Sequence, residues 1–142
     1  MQALSIPKAI IDEMVAHAKG AYPKEACGIL SGSGDAVEKL HRMRNADLSS
    51  TTYMMHPDEQ LNVMRDIEKD GKKMLAIYHS HPASPAYPSQ IDINRAFFPG
   101  TDYENFPGTA YVIIGLAEGG PEIKAFLLIG KAGIREITIV PV

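Results

Sequence analysis

The amino-acid sequence predicts a mixed α+β fold in one domain spanning residues 1–142. Three segments have the apolar spacing or the start signals of helices, and six or so short apolar segments between turn residues have the length of strands. A chain of 142 residues suits one hydrophobic core and is short for two. No repeat, low-complexity tract or linker divides the sequence, so we expect no domain boundary.

The first half of the sequence predicts two helices that enclose a β-hairpin. Ser5 can cap the first helix, Pro7 fits its first turn, and apolar residues recur at three-to-four spacing up to Gly20. The second helix begins at Pro57, which is followed by two acidic residues that suit a helix N-terminus, and it covers residues 57–70. Between the helices, turn signals delimit predicted strands at residues 26–31, 36–44 and 51–55.

The second half begins with a continuous apolar run, residues 74–78, of the kind buried on both faces in a central strand. Three prolines then exclude regular pairing, and Ser89 starts a short helix that runs to about Phe97. A surface loop follows at residues 99–109. Three strands complete the predicted fold, at residues 110–116, 122–129 and 134–140, with turns at residues 119–121 and 131–133.

The composition excludes several functional classes. Hydrophobic residues make up 45% and charged residues 22% of the chain, which excludes a disordered or fibrous protein. The net charge is −3, from 14 basic and 17 acidic residues, and no basic stripe indicates nucleic-acid binding. The apolar stretches are far shorter than the roughly 20 residues of a membrane span, and the first residues lack the basic start of a signal peptide. We therefore expect a cytoplasmic protein that binds neither nucleic acid nor a membrane.

The stretch that carries chemical information begins with His79-Ser80-His81. In an extended segment, residues i and i+2 point to the same face, so both imidazoles can be directed at one point. Asp92 lies eleven residues after His81, on the first turn of a predicted helix, and can supply a carboxylate oxygen. Two histidines and a carboxylate, with a fourth position left for water, form the ligand set of a catalytic zinc site. The single cysteine, Cys27, excludes a disulfide framework and a multi-cysteine zinc site.

Two further residues are candidates for catalysis. A catalytic zinc site needs a base, normally a carboxylate near the metal but not bound to it, and the spacing alone does not choose among 17 acids. Glu25 stands out because it lies immediately before a predicted strand. The Ser89 hydroxyl could donate to an oxyanion as a carbonyl becomes tetrahedral. Ser89 and Asp92 also form the Ser-x-x-Asp pattern of a capping box, so the start of a helix alone would explain both.

These positions together resemble the signature of the JAMM (MPN-plus) metalloproteases. The matching pattern is histidine-x-histidine-proline, six residues, serine, two residues and aspartate, with a glutamate upstream. Residues 23–30 resemble the glutamate-bearing segment of the short prokaryotic members. Asn45 and residues 53–57 also resemble their counterparts, so the likeness covers nearly the whole chain.

The resemblance implies a fold and a role for each of five residues. His79, His81 and Asp92 match the zinc ligands, and one catalytic zinc ion is implied. Glu25 matches the general acid/base, and Ser89 matches the serine that stabilises the tetrahedral intermediate. Family members have a curved, largely antiparallel sheet with helices on both sides, which agrees with the predicted element order.

The family resemblance also implies a substrate class. Eukaryotic members are isopeptidases acting on ubiquitin, and the short prokaryotic members resemble enzymes that trim the C-terminus of ubiquitin-like sulfur-carrier proteins. We therefore expect a zinc-dependent protease that cleaves at or near the C-terminus of such a carrier. Gly115 departs from the pattern, because many prokaryotic members are expected to have serine there, and the departure concerns substrate positioning rather than the metal.

Two other function classes stay open. A non-catalytic MPN-type scaffold would use the same fold only to bind a protein partner, although degenerate relatives of this kind typically lack metal ligands. A different zinc hydrolase, such as a deaminase acting on a small molecule, normally takes its zinc ligands from paired cysteines. The present chain has only Cys27.

Several residues near these motifs have simpler explanations. Cys27 lies in an apolar strand without an evident base, so we expect it to be buried and inert. His56 precedes Pro57 and is expected to be a neutral helix cap. Asn45 either completes a turn or grips an extended substrate, and residues 102–107 are a second candidate for that contact. A tail bound as an added strand would be held by main-chain hydrogen bonds.

Overall fold

A computed structural model describes residues 1–130 and 133–142. It contains three helices and seven strands within those residues. In chain order the elements are β1 (Ala3–Ile6), α1 (Lys8–Ala21), β2 (Cys27–Ser33), β3 (Ala36–Met43), α2 (Pro57–Lys69), β4 (Lys73–His81), α3 (Gln90–Arg95), β5 (Ala110–Gly115), β6 (Glu122–Leu128) and β7 (Ile134–Pro141). The mixed α+β class predicted from the sequence is confirmed.

The seven strands close into a barrel in the order β1-β3-β2-β4-β5-β6-β7. Neighbouring strands pair in parallel at β1–β3, β1–β7 and β4–β5, and the other four pairs are antiparallel. The family resemblance implied a curved, largely antiparallel sheet with helices on both sides, and the closed barrel corrects that expectation. Closure satisfies the hydrogen-bonding groups that an open sheet would leave at its edges.

Strand β1 closes the barrel, and the sequence did not predict it. Ser5 was expected to cap α1, but it lies inside β1, paired with Val140 on one side and Ala36 on the other. Helix α1 instead begins after Pro7, which makes no side-chain cap. The expectation was wrong because the strand has only four residues and its partners lie far away in the sequence, so no local pattern marks it.

Two large apolar clusters form most of the core, and a different helix packs into each of them. Met14 and Ala18 of α1 pack into a cluster with alternate residues of the strands, among them Leu30 and Tyr78. The second cluster receives Ile67 of α2 and residues of α3 and of the segment that follows it. It also contains Cys27, Met43, Met55, Ile77 and Tyr111. On β4, Ala76 and Tyr78 belong to the first cluster and Ile77 between them belongs to the second, as the pleat requires.

The remaining element boundaries differ modestly from the predictions. The hairpin of β2 and β3 and helix α2 are confirmed. Residues 51–55 do not form a strand, because only one isolated bridge, Asn45 with Met55, pairs this segment. Helix α3 ends at Arg95 rather than near Phe97. The predicted turn at residues 131–133 includes two residues that lie outside the described part of the chain. Among the described residues, no helix is long and apolar enough to span a membrane.

Candidate metal centre

Three side chains predicted as metal ligands converge at the end of β4. The Nε2 atoms of His79 and His81 lie 3.1 Å apart, and Asp92 Oδ2 lies 3.1 Å from the first and 3.0 Å from the second. All three residues are buried. Within residues 1–130 and 133–142, this is the one group of three or more metal-binding side chains whose ligand atoms lie within 4.8 Å of one another.

Local structure explains the convergence. β4 continues three residues beyond the apolar run 74–78 and ends at His81. Both histidines therefore lie on the same face of a regular strand. Asp92 is the third residue of α3, where it forms a complete capping box with Ser89. The Ser89 backbone N–H donates to Asp92 Oδ2 at 2.9 Å, and the Asp92 N–H donates to Ser89 Oγ at 3.0 Å. The cap fixes the carboxylate toward the histidines.

The second nitrogen of each imidazole lies in a different environment. His81 Nδ1–H donates to the Pro85 carbonyl at 2.8 Å, so Nε2 is the nitrogen that faces His79 and Asp92. His79 Nδ1 has no hydrogen-bond partner in the part of the chain that the structure describes. Its ring stacks on Tyr53, with ring centroids 4.3 Å apart and an interplanar angle of 22°. The tyrosine therefore fixes the plane of His79 by packing.

The donor triangle fits a tetrahedral metal ion. Zinc bonds of 2.0–2.1 Å place neighbouring ligand atoms about 3.3 Å apart, close to the observed edges of 3.0–3.1 Å. The charge states of Asp92 and His79 also fit a metal ion. Burial opposes ionisation of Asp92, but hydrogen bonds from both histidines outweigh it and hold the pKa of the carboxyl well below its usual range. Burial lowers the pKa of His79, which favours the neutral, lone-pair form that binds metals.

Glu25 provides a second carboxyl beside this group. It is 3% exposed, and its Oε1 atom has no hydrogen-bond partner among the described residues. Burial raises the pKa of Glu25 from 4.5 to about 8, and the nearby His81 offsets only part of this rise. A buried carboxyl that carries a proton near neutral pH is a candidate for proton transfer.

Main-chain contacts hold the Glu25 backbone in place. Its N–H donates to the Ser49 carbonyl at 2.7 Å, and its carbonyl accepts from Asn45 Nδ2 at 3.2 Å. The next residue, Ala26, donates its N–H to the hydroxyl oxygen of Ser80 at 2.8 Å. Because Ser80 lies between the two histidines on β4, it ties the Glu25 segment to the strand that carries the predicted ligands.

Asn45 completes a turn. Its Nδ2 also donates to the Thr52 carbonyl, and its Oδ1 accepts the backbone N–H groups of Asp47 and Met54. These bonds use the donors and acceptors of the amide on the loop itself, so the turn interpretation holds and direct grip on a substrate is not supported. Asp47 in turn accepts from Arg95 Nη1 of α3 at 2.7 Å, which links the loop to the helix that carries Asp92.

The other residues singled out from the sequence have mixed outcomes. Cys27 is fully buried, as expected, and burial raises the pKa of its thiol to about 12. His56 occupies the N-cap position of α2, as expected, but its side chain makes no capping hydrogen bond. Within the segment 102–107, Asn105 and Phe106 line a cavity of about 480 Å³. Tyr53, whose ring stacks on His79, and Phe97 line the same cavity.

Three supporting residues were not predicted from the sequence: Tyr53, Ser80 and Pro85. Ser80 had a usable signal, because a serine between two histidines in an otherwise apolar strand needs a buried partner. No sequence signal could have indicated the Pro85 carbonyl, because any residue supplies a main-chain oxygen. The stacking of Tyr53 depends on how the loop after β3 folds over β4, and its position in the sequence does not indicate it.

Comparison with known proteins identifies the family. The family model described as prokaryotic homologues of the JAB domain matches residues 7–129. A Mycobacterium tuberculosis protein named CysO-cysteine peptidase is 42% identical over 96 residues, which cover 66% of this chain and 66% of that protein. The chain thus spans slightly less than two thirds of the length of this relative. A Thermus thermophilus protein named probable TtuB-protein conjugate cleaving protease is 35% identical over 126 residues, 88% of this chain and 76% of that protein.

Among solved structures, the solution structure of a Desulfitobacterium hafniense protein superposes with a TM-score of 0.81. It is 41% identical, and the match covers 98% of this chain and 92% of that chain. The range that the family model matches includes β4 and α3, which carry His79, His81 and Asp92. The chain belongs to the prokaryotic homologues of the JAB domain, and the JAMM (MPN-plus) membership predicted from its sequence is confirmed.

Proposed function

We propose that residues 1–142 act as a single catalytic domain, a zinc-dependent peptidase that cleaves at or near the C-terminus of a ubiquitin-like sulfur-carrier protein. The observation that carries the proposal is the triangle of three buried donor atoms, 3.0–3.1 Å apart, beside a buried carboxyl without a hydrogen-bond partner among the described residues. A non-catalytic scaffold has no use for this arrangement.

His79, His81 and Asp92 would hold the metal ion through two imidazole nitrogens and one carboxylate oxygen. A zinc ion held there supplies Lewis-acid polarisation of the scissile carbonyl and lowers the pKa of water to about 7. The protein keeps the three ligands in place through the capping box, the bond from His81 to the Pro85 carbonyl and the stacking of His79 on Tyr53. Rigid ligands of this kind need little reorganisation when they bind a metal.

Glu25 is the proposed proton carrier. Hydrolysis of an amide requires a group that accepts a proton from the attacking water and then donates it to the leaving amine. A pKa of about 8, raised by burial, lets the Glu25 carboxyl hold a proton near neutral pH, and positive charge at the metal site would shift this pKa downward. The carboxyl can therefore exchange a proton in both directions during one turnover.

Ser89 is the proposed donor to the developing oxyanion. Its hydroxyl oxygen accepts the Asp92 N–H as the helix cap, and this bond leaves the hydroxyl hydrogen available. The residue is half-buried at the start of α3, next to the proposed ligand Asp92. Capping and oxyanion stabilisation are thus compatible in one side chain, and neither excludes the other.

The depth of the site favours a slender substrate. The exposed fractions of His79, His81, Asp92 and Glu25 are 0%, 3%, 8% and 3%, so a reacting carbonyl must enter between the surrounding loops. An extended tail of small residues meets this requirement better than a folded surface does. The names of the mycobacterial and Thermus relatives, a peptidase and a conjugate-cleaving protease, support a protein conjugate as the substrate class.

The direct test uses candidate sulfur carriers that bear C-terminal extensions. We expect the zinc-loaded protein to release the extension, seen as a mass loss in the carrier by mass spectrometry. Glu25→Gln should retain zinc and lose cleavage by about 10²-fold or more. An active Glu25→Gln protein would refute the assigned proton carrier, and a carrier that stays intact with wild-type protein would refute the proposed substrate class.

A further inference from the structure

Gly115 lies against the backbone of the loop that follows β4. It is the last residue of β5 and pairs in register with His81. A Cβ built on Gly115 would lie 2.7 Å from the backbone nitrogen of Ala86 and 3.2 Å from the carbonyl carbon of Pro85. Both neighbours are main-chain atoms, so no side-chain rotation could relieve the contact. Any larger residue here requires the loop itself to move.

The same piece of backbone holds His81. The Pro85 carbonyl, whose carbon is the second atom in that contact, accepts the Nδ1–H of His81 at 2.8 Å. Ala86 is 1% exposed and packs in a small apolar cluster with Ile113 and Phe126. One side of the loop is therefore fixed by packing, and Gly115 sets how closely the loop approaches β5.

We propose that Gly115 is a positioning residue for the metal centre, because its missing side chain lets the Pro85 carbonyl reach His81 and fix the orientation of that imidazole. The proposal rests on the metal-binding role of His81 in the proposed function. Gly115 departs from the family pattern, and under this proposal the departure affects the orientation of His81, a proposed metal ligand, rather than the positioning of the substrate. Gly115 itself has no side chain and supplies no ligand atom.

The test compares Gly115→Ala with a matched variant, Gly32→Ala. A Cβ on Gly32 would collide with the Ala36 carbonyl oxygen in the β2–β3 hairpin, which also forces backbone to move but lies away from the histidines. Zinc affinity is measured by competition with a chromophoric chelator, and folding by circular dichroism. Loss of a partner that orients a ligand costs about 10- to 100-fold in metal affinity. We expect this loss for Gly115→Ala and wild-type affinity for Gly32→Ala.

A folded Gly115→Ala protein with wild-type zinc affinity would overturn the proposal, as would an equal loss in Gly32→Ala. If Gly115→Ala does not fold, the double variant Gly115→Ala/Ala86→Gly replaces it, since a glycine gives the loop freedom to move away. That protein should fold and still bind zinc about 10-fold or more weakly. Wild-type affinity in the folded double variant would contradict the proposal.

Proton NMR of the metal-free protein separates this proposal from the proposed function. The His81 Nδ1–H should be protected from exchange in wild-type protein and exchange freely in the Gly115 variants. This result is independent of zinc. A wild-type protein that binds no zinc but shows the protected proton would refute the metal centre while leaving the link from Gly115 to His81 intact. Rapid exchange in wild-type protein would refute the link.

Discussion

Replacing Glu25 by glutamine should make the metal-free protein more stable at alkaline pH while removing its activity. The buried carboxyl is 3% exposed, and Oε1 has no partner within the described residues, so ionisation of Glu25 is costly in the folded state. Burial raises the pKa of Glu25 to about 8 from the 4.5 of an accessible glutamate. Glutamine has nearly the same shape and never ionises.

The direction follows from proton linkage. The unfolded chain ionises Glu25 near pH 4.5, whereas the folded chain holds the proton up to about pH 8. The contribution of Glu25 lowers the free energy of unfolding of wild-type protein progressively as the pH rises from about 4.5 to about 8. Above about pH 8 this contribution no longer changes. Glu25→Gln does not show this decrease, so the difference between the two proteins should grow over this window.

The size follows from the same two pKa values. A separation of roughly 3.5 pH units at 1.36 kcal/mol each gives a ceiling of about 5 kcal/mol. Water that reaches the ionised carboxylate reduces this ceiling, and we expect a difference of about 2 to 3 kcal/mol at pH 8.5. At pH 5 the difference should be below about 1 kcal/mol.

Urea unfolding at several pH values, with a chelator present, measures the effect. Glu68→Gln is the matched control, because it makes the same chemical change on the exposed face of α2. If the difference in the free energy of unfolding between Glu25→Gln and wild-type protein stays constant from pH 5 to 8.5, the predicted effect of the raised Glu25 pKa is wrong. A constant difference would mean that Glu25 ionises in the folded protein as easily as in the unfolded chain.

Three further substitutions test local features of the fold by urea unfolding. Ser80→Ala leaves the buried N–H of Ala26 without its acceptor and should cost about 1 to 3 kcal/mol, and a cost near zero would show that the contact is dispensable. Gly28→Ala forces a Cβ into the ring of Tyr78 and should cost about 1 to 3 kcal/mol, and wild-type stability would show that the ring moves freely. Gly20→Ala, where a Cβ meets open space in α1, should instead gain about 0.5 to 1 kcal/mol, and a loss would contradict the helix assignment.

Sequence alone could predict those parts of the fold and the candidate site that depend on local pattern. The period of a strand puts His79 and His81 on one face, and the Ser-x-x-Asp pattern that starts α3 places Asp92. Both are short-range rules that tertiary packing did not override. The apolar spacing of α2 and its proline start belong to the same class, so its bounds agree to within one residue.

The predictions about the fold that were wrong concern features that depend on contacts between residues distant in the sequence. Strand β1 is defined by pairing with β7, more than 130 positions away, so Ser5 could be taken for a helix cap. Whether the sheet closes into a barrel depends on that pairing, and without β1 the expectation was a curved, largely antiparallel sheet flanked by helices. Residues 51–55 have strand-like composition, but the Asn45 side chain takes two of their main-chain groups and only one bridge forms.

The choice of Glu25 among 17 acids shows the same limit. Its place beside the histidines depends on the register of β2 and β4, in which Cys27 pairs with His79. Register is set by the whole sheet and not by residues near Glu25. The family resemblance supplied this information, whereas spacing along the chain did not. The contact of Gly115 with the loop after β4 is non-local for the same reason.

The central claim is that His79, His81 and Asp92 form a zinc site. Its most direct test is the zinc content of purified protein after dialysis, measured by inductively coupled plasma mass spectrometry for wild-type protein, His79→Ala and Asp92→Ala. The donor triangle predicts about one zinc ion per wild-type chain, since one ion takes all three ligands. Both variants should retain almost none while keeping the wild-type circular dichroism spectrum. Wild-type protein without zinc, or folded variants that keep a full equivalent, would contradict the claim.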